Sequence, residues 1–337
     1  MVKSFDAVVK GHADDACSTS GHSGPHSGNG SSTSTNTTSS HSANHYADHV
    51  TRFTMPHAFD LIDAAYNEIL NAKNILEIGC GTGVFGLAYL ERFPNGLPGQ
   101  TMHCTDFNQE MVDVAERVIL EKRDASCQTE FIFQKADGTK LDMYDDGTFD
   151  IVVSVFGLFL IPDRDTALTE VRRVLQTTTG GTLATTAWTT TEYNEELRLS
   201  GFGANLHDAM SLMRLPTKST DESTTNFAID KKPQQILPQF ILDWFEPNKV
   251  REILTDNARF HNVTVHRVIH SVCVPDVETM RNTFSAGKSN HPTDMDPQQL
   301  QESMTAAKIV LGEYIAMDGN IDRPLFIRTV SNIIIAQ

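Results

Sequence analysis

Residues 74–83 read Asn-Ile-Leu-Glu-Ile-Gly-Cys-Gly-Thr-Gly, a short apolar run holding one acid and ending in alternating glycines. The run is predicted to be a buried strand, since it is short, apolar and bounded by turn residues. Gly79, Gly81 and Gly83 carry no Cβ, so the backbone can turn sharply there and come close to a ligand. Val84, Leu87, Ala88 and Glu91 then fall at helical spacing, so the loop opens onto a helix N-terminus. A strand, a glycine turn and a helix in succession form a nucleotide cradle in an open α/β sheet.

The flanking sequence extends the same pattern. Upstream, Phe59, Ile62, Ala65, Tyr66, Ile69 and Leu70 lie on one helical face, predicting a helix over 58–70. Downstream, Pro94 to Gly99 is a breaker-rich loop. Thr101 to Thr105 reads as a second strand closed by Asp106, and Asn108 starts a helix with Met111, Val114, Ala115, Val118 and Ile119 inward. Further strands are predicted at 131–135, 149–156 and 182–188, with a helix over 163–175 before the last of them. Late in the chain, 247–258 reads as helix, 263–274 and 326–336 as strands, and 276–314 as mostly helical. The expected fold is α/β: a Rossmann-like, doubly wound, seven-stranded and mostly parallel sheet with helices on both faces. Ligands of such sheets bind at the carboxyl ends of the strands.

Composition divides the chain into parts. Residues 11–45 are almost entirely Gly, Ser, Thr, His, Asn and Asp, so 1–45 is read as a disordered low-complexity tail. Residues 46–191 hold the nucleotide-binding core, and 246–337 its C-terminal part. Between them, 192–245 mixes helical fragments with Ser/Thr/Asp/Lys-rich stretches and is read as a helical lid folding over the ligand edge. The net charge of −16 and the lack of any lysine- or arginine-rich run argue against a nucleic-acid surface and for a small substrate. Cys17, Cys80, Cys104, Cys127 and Cys273 form no C-x-x-C pair, so neither a disulfide framework nor a zinc knuckle is expected. The longest apolar run, 151–161, falls short of the ~20 residues of a membrane span, and no signal-like segment opens the chain. A cytoplasmic protein without membrane partners is expected; its oligomeric state is not legible.

Two nucleotide readings compete for the glycine loop. A dinucleotide fingerprint needs its third glycine at position 84, where Val84 stands. The observed spacing is Glu-x-Gly-x-Gly-x-Gly, with Glu77 ahead of the turn. That resembles motif I of the class I S-adenosylmethionine-dependent methyltransferases. The stretch 149–163, Ala167 to Leu175 and Gly180-Gly-Thr-Leu also look like that family's fourth strand, its helix and its fifth-strand entry. Within the class the chain is most similar to members that methylate small molecules, including quinone-type and secondary-metabolite enzymes. The likeness is good over 72–188 and holds only in outline over 245–337. Where the family usually has a basic residue and proline before the glycine pair, this chain has Thr177-Thr-Thr, a change in a surface turn.

The resemblance implies an S-adenosylmethionine site made of Glu77, Gly79, Cys80, Gly81 and Gly83, with Asp106 accepting the ribose hydroxyls. Cys80 is read as a small buried filler and not as a reactive thiol. Phe107 and Met111 are candidate adenine walls, and Asp137 with Gly138 the candidate contact to the adenine edge. Val155 and Phe156 close the site from the fourth strand, and Tyr46 covers it from the helix before motif I. Plain structural readings stand beside these: a helix N-cap for Asp106, though Asn108 is the better cap candidate, a turn for Asp137-Gly138, and core packing for Phe107 and Met111. A general base is the weakest assignment, His207 on the lid being the candidate and His57 a second. His41, His45 and His49 recur at i, i+4 and i+8, but no carboxylate or cysteine joins them, and no metal is expected. The predicted function is methyl transfer to a small organic acceptor, with O-, N- and C-methylation left open. The rivals are a protein or peptide methyltransferase and a non-catalytic binding partner of the same fold; a dehydrogenase is disfavoured by Val84.

Overall fold

The computed structural model describes residues 37–176, 180–189, 239–274 and 325–337. Helix α1 (Thr37–Ala64) and helix α2 (Tyr66–Asn71) lead into strand β1 (Asn74–Ile78). After the glycine loop come α3 (Val84–Arg92), β2 (Thr101–Asp106), α4 (Gln109–Lys122), β3 (Glu130–Lys135) and β4 (Ile151–Val155). A 3₁₀ turn at Leu158–Leu160, α5 (Arg164–Val174) and β5 (Thr182–Trp188) follow. The chain returns with α6 (Gln239–Leu242), α7 (Pro247–Glu252), β6 (Val263–Val274) and β7 (Leu325–Ala336).

The seven strands form one sheet in the order β3-β2-β1-β4-β5-β7-β6. The pairs from β3 through β5 are parallel, and β7 runs antiparallel to both β5 and β6. This is the α/β, Rossmann-like sheet expected from the sequence. β1 lies between β2 and β4, and Asp150 fixes its start by accepting from the amides of Lys73 at 2.8 Å and Asn74 at 2.9 Å. One face is covered by α1 to α4, with Leu61, Ile62, Ile69, Phe85, Tyr89 and Ile119 fully buried against it. The other carries α5, α6 and α7, centred on Phe149, Val171, Trp244, Val250 and Phe260. Burial on both faces is why the strands read as continuous apolar runs and not as alternating ones.

The edge hairpin has a different role. β6 and β7 pair along twelve positions, Val263↔Ala336 to Val274↔Leu325, whereas β5 meets β7 only from Leu183↔Ala336 to Trp188↔Ser331. The remaining half of the hairpin projects past the carboxyl end of β5, roughly 20 Å at the usual strand rise. With α1 in contact with both strands, it raises a wall beside the ligand edge.

Several expectations are corrected. Helix α1 begins at Thr37, inside the stretch that composition assigns to the tail. Once the packed part from Phe53 onward forms, each added helical residue gains a hydrogen bond at little cost, so poor helix formers are carried along. The helix expected over 58–70 is two helices, broken at Ala65, whose ψ is 24°. The helix expected over 247–258 ends at Glu252 and widens into a π turn at Ile253–Asn257. Residues 239–245, placed in the lid by composition, belong to the core: Ile241, Trp244 and Phe245 are buried beside α5 and α7. The rest of the expected lid, with His207, and the helical reading of 276–314 lie outside the described residues.

Helix α4 shows how local chemistry places an element at the ligand edge. The Asn108 side chain caps it, accepting from the Glu110 amide at 3.0 Å, as the sequence suggests. Asn108→Ala should therefore lower the unfolding free energy by about 1 kcal/mol in a urea titration. An unchanged midpoint would mean that the Glu110 amide finds another acceptor.

Candidate functional site

The glycine loop, the end of β2 and the end of β4 meet at the carboxyl edge of the sheet. Gly79, Gly81 and Gly83 have φ of +71°, +52° and +91°, a region closed to most side chains. Their surroundings differ. A Cβ on Gly79 would lie 2.9 Å from Cα of Gly157, and one on Gly83 would lie 3.2 Å from Cα of Ala115. Those two glycines allow close packing of the β1 and β4 turns and of α3 on α4. A Cβ on Gly81 would meet nothing within 4 Å, so this residue faces open space.

Asp106 ends β2 beside that opening. Its Oδ2 accepts from the Gly81 amide and its Oδ1 from the Asn108 amide, both at 2.9 Å. Burial raises its pKa, and amide hydrogen bonds from Asn108, Gly81 and Phe107 oppose the rise. Each carboxylate oxygen has two acceptor positions, so these amides leave acceptor capacity for a ligand donor. The expected helix-start alternative falls to Asn108, the residue that caps α4.

Glu77 lies within β1 with 1% of its surface exposed. Burial is the main cause lifting its pKa to about 8, with a hydrogen bond from Cys104 pulling down and the charge of Asp106 pushing up. Among the described residues its Oε2 has no hydrogen-bond partner, nor has the buried hydroxyl of Thr82 in the same loop. A buried acceptor without a partner costs about 1–3 kcal/mol, so a ligand donor reaching it is stabilised strongly. The Cys80 thiol is buried and pushed well above its usual range, so Cys80 fills space and offers only backbone.

Phe107 stands at the rim with 69% of its surface exposed, the Lys135 ammonium 5.7 Å above its ring. Met111 instead packs in a small cluster with Val114, which is the core reading. Asp137 is exposed and its Oδ1 accepts from the amide and hydroxyl of Thr139, at 2.9 and 2.7 Å. Gly138 sits in a tight place, where a Cβ would lie 2.7 Å from Cδ1 of Ile161 and 3.1 Å from Cγ2 of Ile78, side-chain ends that would have to shift. Phe156 leaves β4 with φ of +55°, its amide held by the Thr186 hydroxyl at 2.9 Å. Left-handed backbone at a phenylalanine costs of order 1–3 kcal/mol and marks a place the surrounding structure fixes. The Phe156 ring stacks on Trp188 at 3.7 Å, and Val155, at the end of β4, is half-buried. Tyr46 is on α1.

Several residues here escaped the sequence reading. Ser154 donates to the Ile78 carbonyl at 2.7 Å and accepts from the Leu158 amide at 2.8 Å, locking the β4 turn to β1. Gly157 permits the close approach to Gly79; a glycine just past an apolar strand was its only signal. His57 is corrected as a base candidate. It is fully buried, with Nε2 2.8 Å from the Thr329 hydroxyl and Nδ1 2.8 Å from that of Ser331. Burial first and His270 second hold its pKa well below the usual histidine range, so it stays neutral with both nitrogens engaged.

Residues 75–178 match the family model described as a methyltransferase domain. Demethylmenaquinone methyltransferase of Lactobacillus johnsonii is 37% identical over 101 residues, covering 30% of this chain and 38% of the relative. The Leptospira interrogans enzyme of the same name is 28% identical over 116 residues, 34% of this chain and 44% of the relative. The chain thus spans less than half the length of these curated relatives. Among solved structures, the YcgJ protein of Bacillus subtilis aligns over 83% of this chain and 97% of its own at 15% identity and TM-score 0.46. Phosphoethanolamine N-methyltransferase 2 of Haemonchus contortus aligns over 78% and 48% at 16% identity and TM-score 0.38. The glycine loop, Asp106 and the β4 turn all fall within the segment that matches this methyltransferase-domain model.

Proposed function

We propose that the chain binds S-adenosylmethionine at the β1–β2 edge and transfers its methyl group to a small organic acceptor. The observation that carries this reading is the pairing of an open, left-handed Gly81 with two buried polar atoms that have no partner among the described residues, Glu77 Oε2 and Thr82 Oγ1, beside Asp106. A cationic, hydroxyl-rich nucleoside suits that set: an ammonium for Glu77, the ribose for the acceptor capacity left on Asp106, and close backbone at Gly81. Phe107 is the ring for the adenine face, and Asp137 with Gly138 the adenine edge. S-adenosylmethionine supplies an electrophilic methyl group on its sulfonium, displaced in line by the acceptor.

What the protein contributes is positioning. The Ser154 and Gly157 contacts hold the β4 turn against β1, so the Phe156–Trp188 stack has a fixed place next to the glycine loop. Flat aromatic surface there supports a small acceptor, and the quinone-type activity named for the curated relatives is compatible with it. His57 is not placed as a base, because both of its ring nitrogens are held by hydroxyls. A cytoplasmic location goes with this reading: Cys80, Cys104 and Cys127 are free and buried, and no helix among the described residues is long and apolar enough to cross a membrane.

The test is calorimetry on the purified chain in chelated buffer. S-adenosylmethionine and its demethylated product should both bind. Heat with a nicotinamide dinucleotide and none with either of these would overturn the assignment.

A further inference from the structure

Away from the glycine loop, α1 and β6 bring together three side chains that the proposed methyl transfer does not use. His57 and Asp60 are one turn apart on α1 and share a face, and His270 comes from the projecting half of β6. One ligand atom from each lies within 4.8 Å of the others, and His270 Nε2 is 2.6 Å from Asp60 Oδ2. The two imidazole rings stand edge to face with centroids 4.8 Å apart.

We infer that His57, Asp60 and His270 form a binding site for a divalent first-row cation of the zinc type, pinning α1 to the β6–β7 hairpin. Two imidazoles and one carboxylate are the donor set such ions take, and three protein ligands leave a fourth position for water. Bonds of about 2.0–2.1 Å in a tetrahedral site put ligand atoms roughly 3.3 Å apart. The observed separations, 2.6 Å for the bonded pair and no more than 4.8 Å for the rest, are of that order.

The surroundings have the form of a built site. A ligating histidine uses one ring nitrogen for the metal and needs a fixed partner for the other. His57 has a hydroxyl at 2.8 Å on each nitrogen, from Thr329 and Ser331, so one can yield to the ion while the other sets the ring. His57 lies on the fully buried side, and Asp60 and His270 each keep 30% of their side-chain surface exposed, which gives a route of entry and a place for the water. The site adjoins the Phe156–Trp188 stack, whose rings lie 5.5 and 5.4 Å from that of His57. A cation here ties the wall of the acceptor side to the helix that faces it. This inference stands independently of the methyl-transfer reading.

The test is equilibrium dialysis of the full-length, chelator-treated protein against zinc, with metal analysis and a melting curve. Histidines of the tail, such as His22 and His26, can add weak sites, so stoichiometry is read as a difference between variants. Wild type should hold one equivalent more than His270→Ala and Asp60→Asn, with affinity at that site at least about tenfold higher. Zinc should raise the melting temperature of wild type and not of either variant, and His22→Asn/His26→Asn should keep both effects. The two site variants alter half-exposed groups, so they fold even where His57→Ala does not. Equal stoichiometry and equal thermal shift in wild type and His270→Ala would overturn the site, as would the absence of any zinc-dependent equivalent in wild type.

Discussion

Asp106→Ala is expected to weaken binding of S-adenosylmethionine by about one to two orders of magnitude. Hydrogen bonds to a charged acceptor contribute roughly 1.5–3 kcal/mol, and each 1.4 kcal/mol is about tenfold in affinity. The same carboxylate also holds the Gly81 and Asn108 amides, so removing it loosens the glycine loop and the start of α4 as well. Unfolding free energy should therefore fall by about 1–3 kcal/mol in the ligand-free protein. Asp106→Asn should cost less in donor affinity, because its amide oxygen keeps one acceptor. Its NH2 group, though, must face one of the two backbone donors, and some loss of stability should remain. Calorimetry with donor and urea titration without it separate the two roles. A variant that binds donor like wild type while losing stability would show that Asp106 serves the loop alone.

That double role marks how far the sequence could be read. The glycine spacing, the apolar strands and the acid after β2 were legible because each is a local pattern with a single physical cause. Asn108 was legible as a cap for the same reason. The hydrogen bond from Gly81 to Asp106 was not, since it joins residues 25 apart that meet only once β1 and β2 pair in register. Trp244 was misplaced in the lid because the Ser/Thr/Asp/Lys-rich stretch at 217–225 coloured the whole segment, although Phe240, Ile241, Leu242 and Phe245 beside it are apolar and its own ring is fully buried in the core. The trio of His57, Asp60 and His270 gave no signal at all, its members being separated by 210 residues and joined only by the packing of α1 on the hairpin. Three of the proposed site residues have a packing role in the fold. Met111 sits in a small apolar cluster, and Gly79 and Gly83 allow the approach of the β4 turn and of α4, which leaves Gly81 as the glycine that opens to a ligand.

Glu77→Gln is expected to stabilise the ligand-free protein increasingly as pH rises. The folded carboxyl has a pKa of about 8 against 4.5 for an ordinary glutamate, with burial as the main cause. A raised folded pKa means that the native state holds its proton where the unfolded chain has released it. The contribution to stability is then complete below pH ~4.5 and is lost progressively as pH climbs through 8. Each tenfold difference in proton affinity between the folded and unfolded chain corresponds to about 1.36 kcal/mol, so wild type should lose about 3–5 kcal/mol relative to Glu77→Gln between pH ~4.5 and ~9. Other titrating groups are common to both proteins and cancel in that difference. Urea titrations of the pair at about pH 5, 7 and 9 measure it, and a difference that does not change with pH would show that Glu77 is ionised throughout. Donor binding supplies the second half of the argument. A cationic ligand at the partnerless Oε2 favours the ionised carboxylate, so saturating S-adenosylmethionine should flatten the pH slope of wild type and leave Glu77→Gln unaffected. If the slope persists with donor bound, Glu77 is a buried neutral acid of the strand and the ammonium of the donor lies elsewhere.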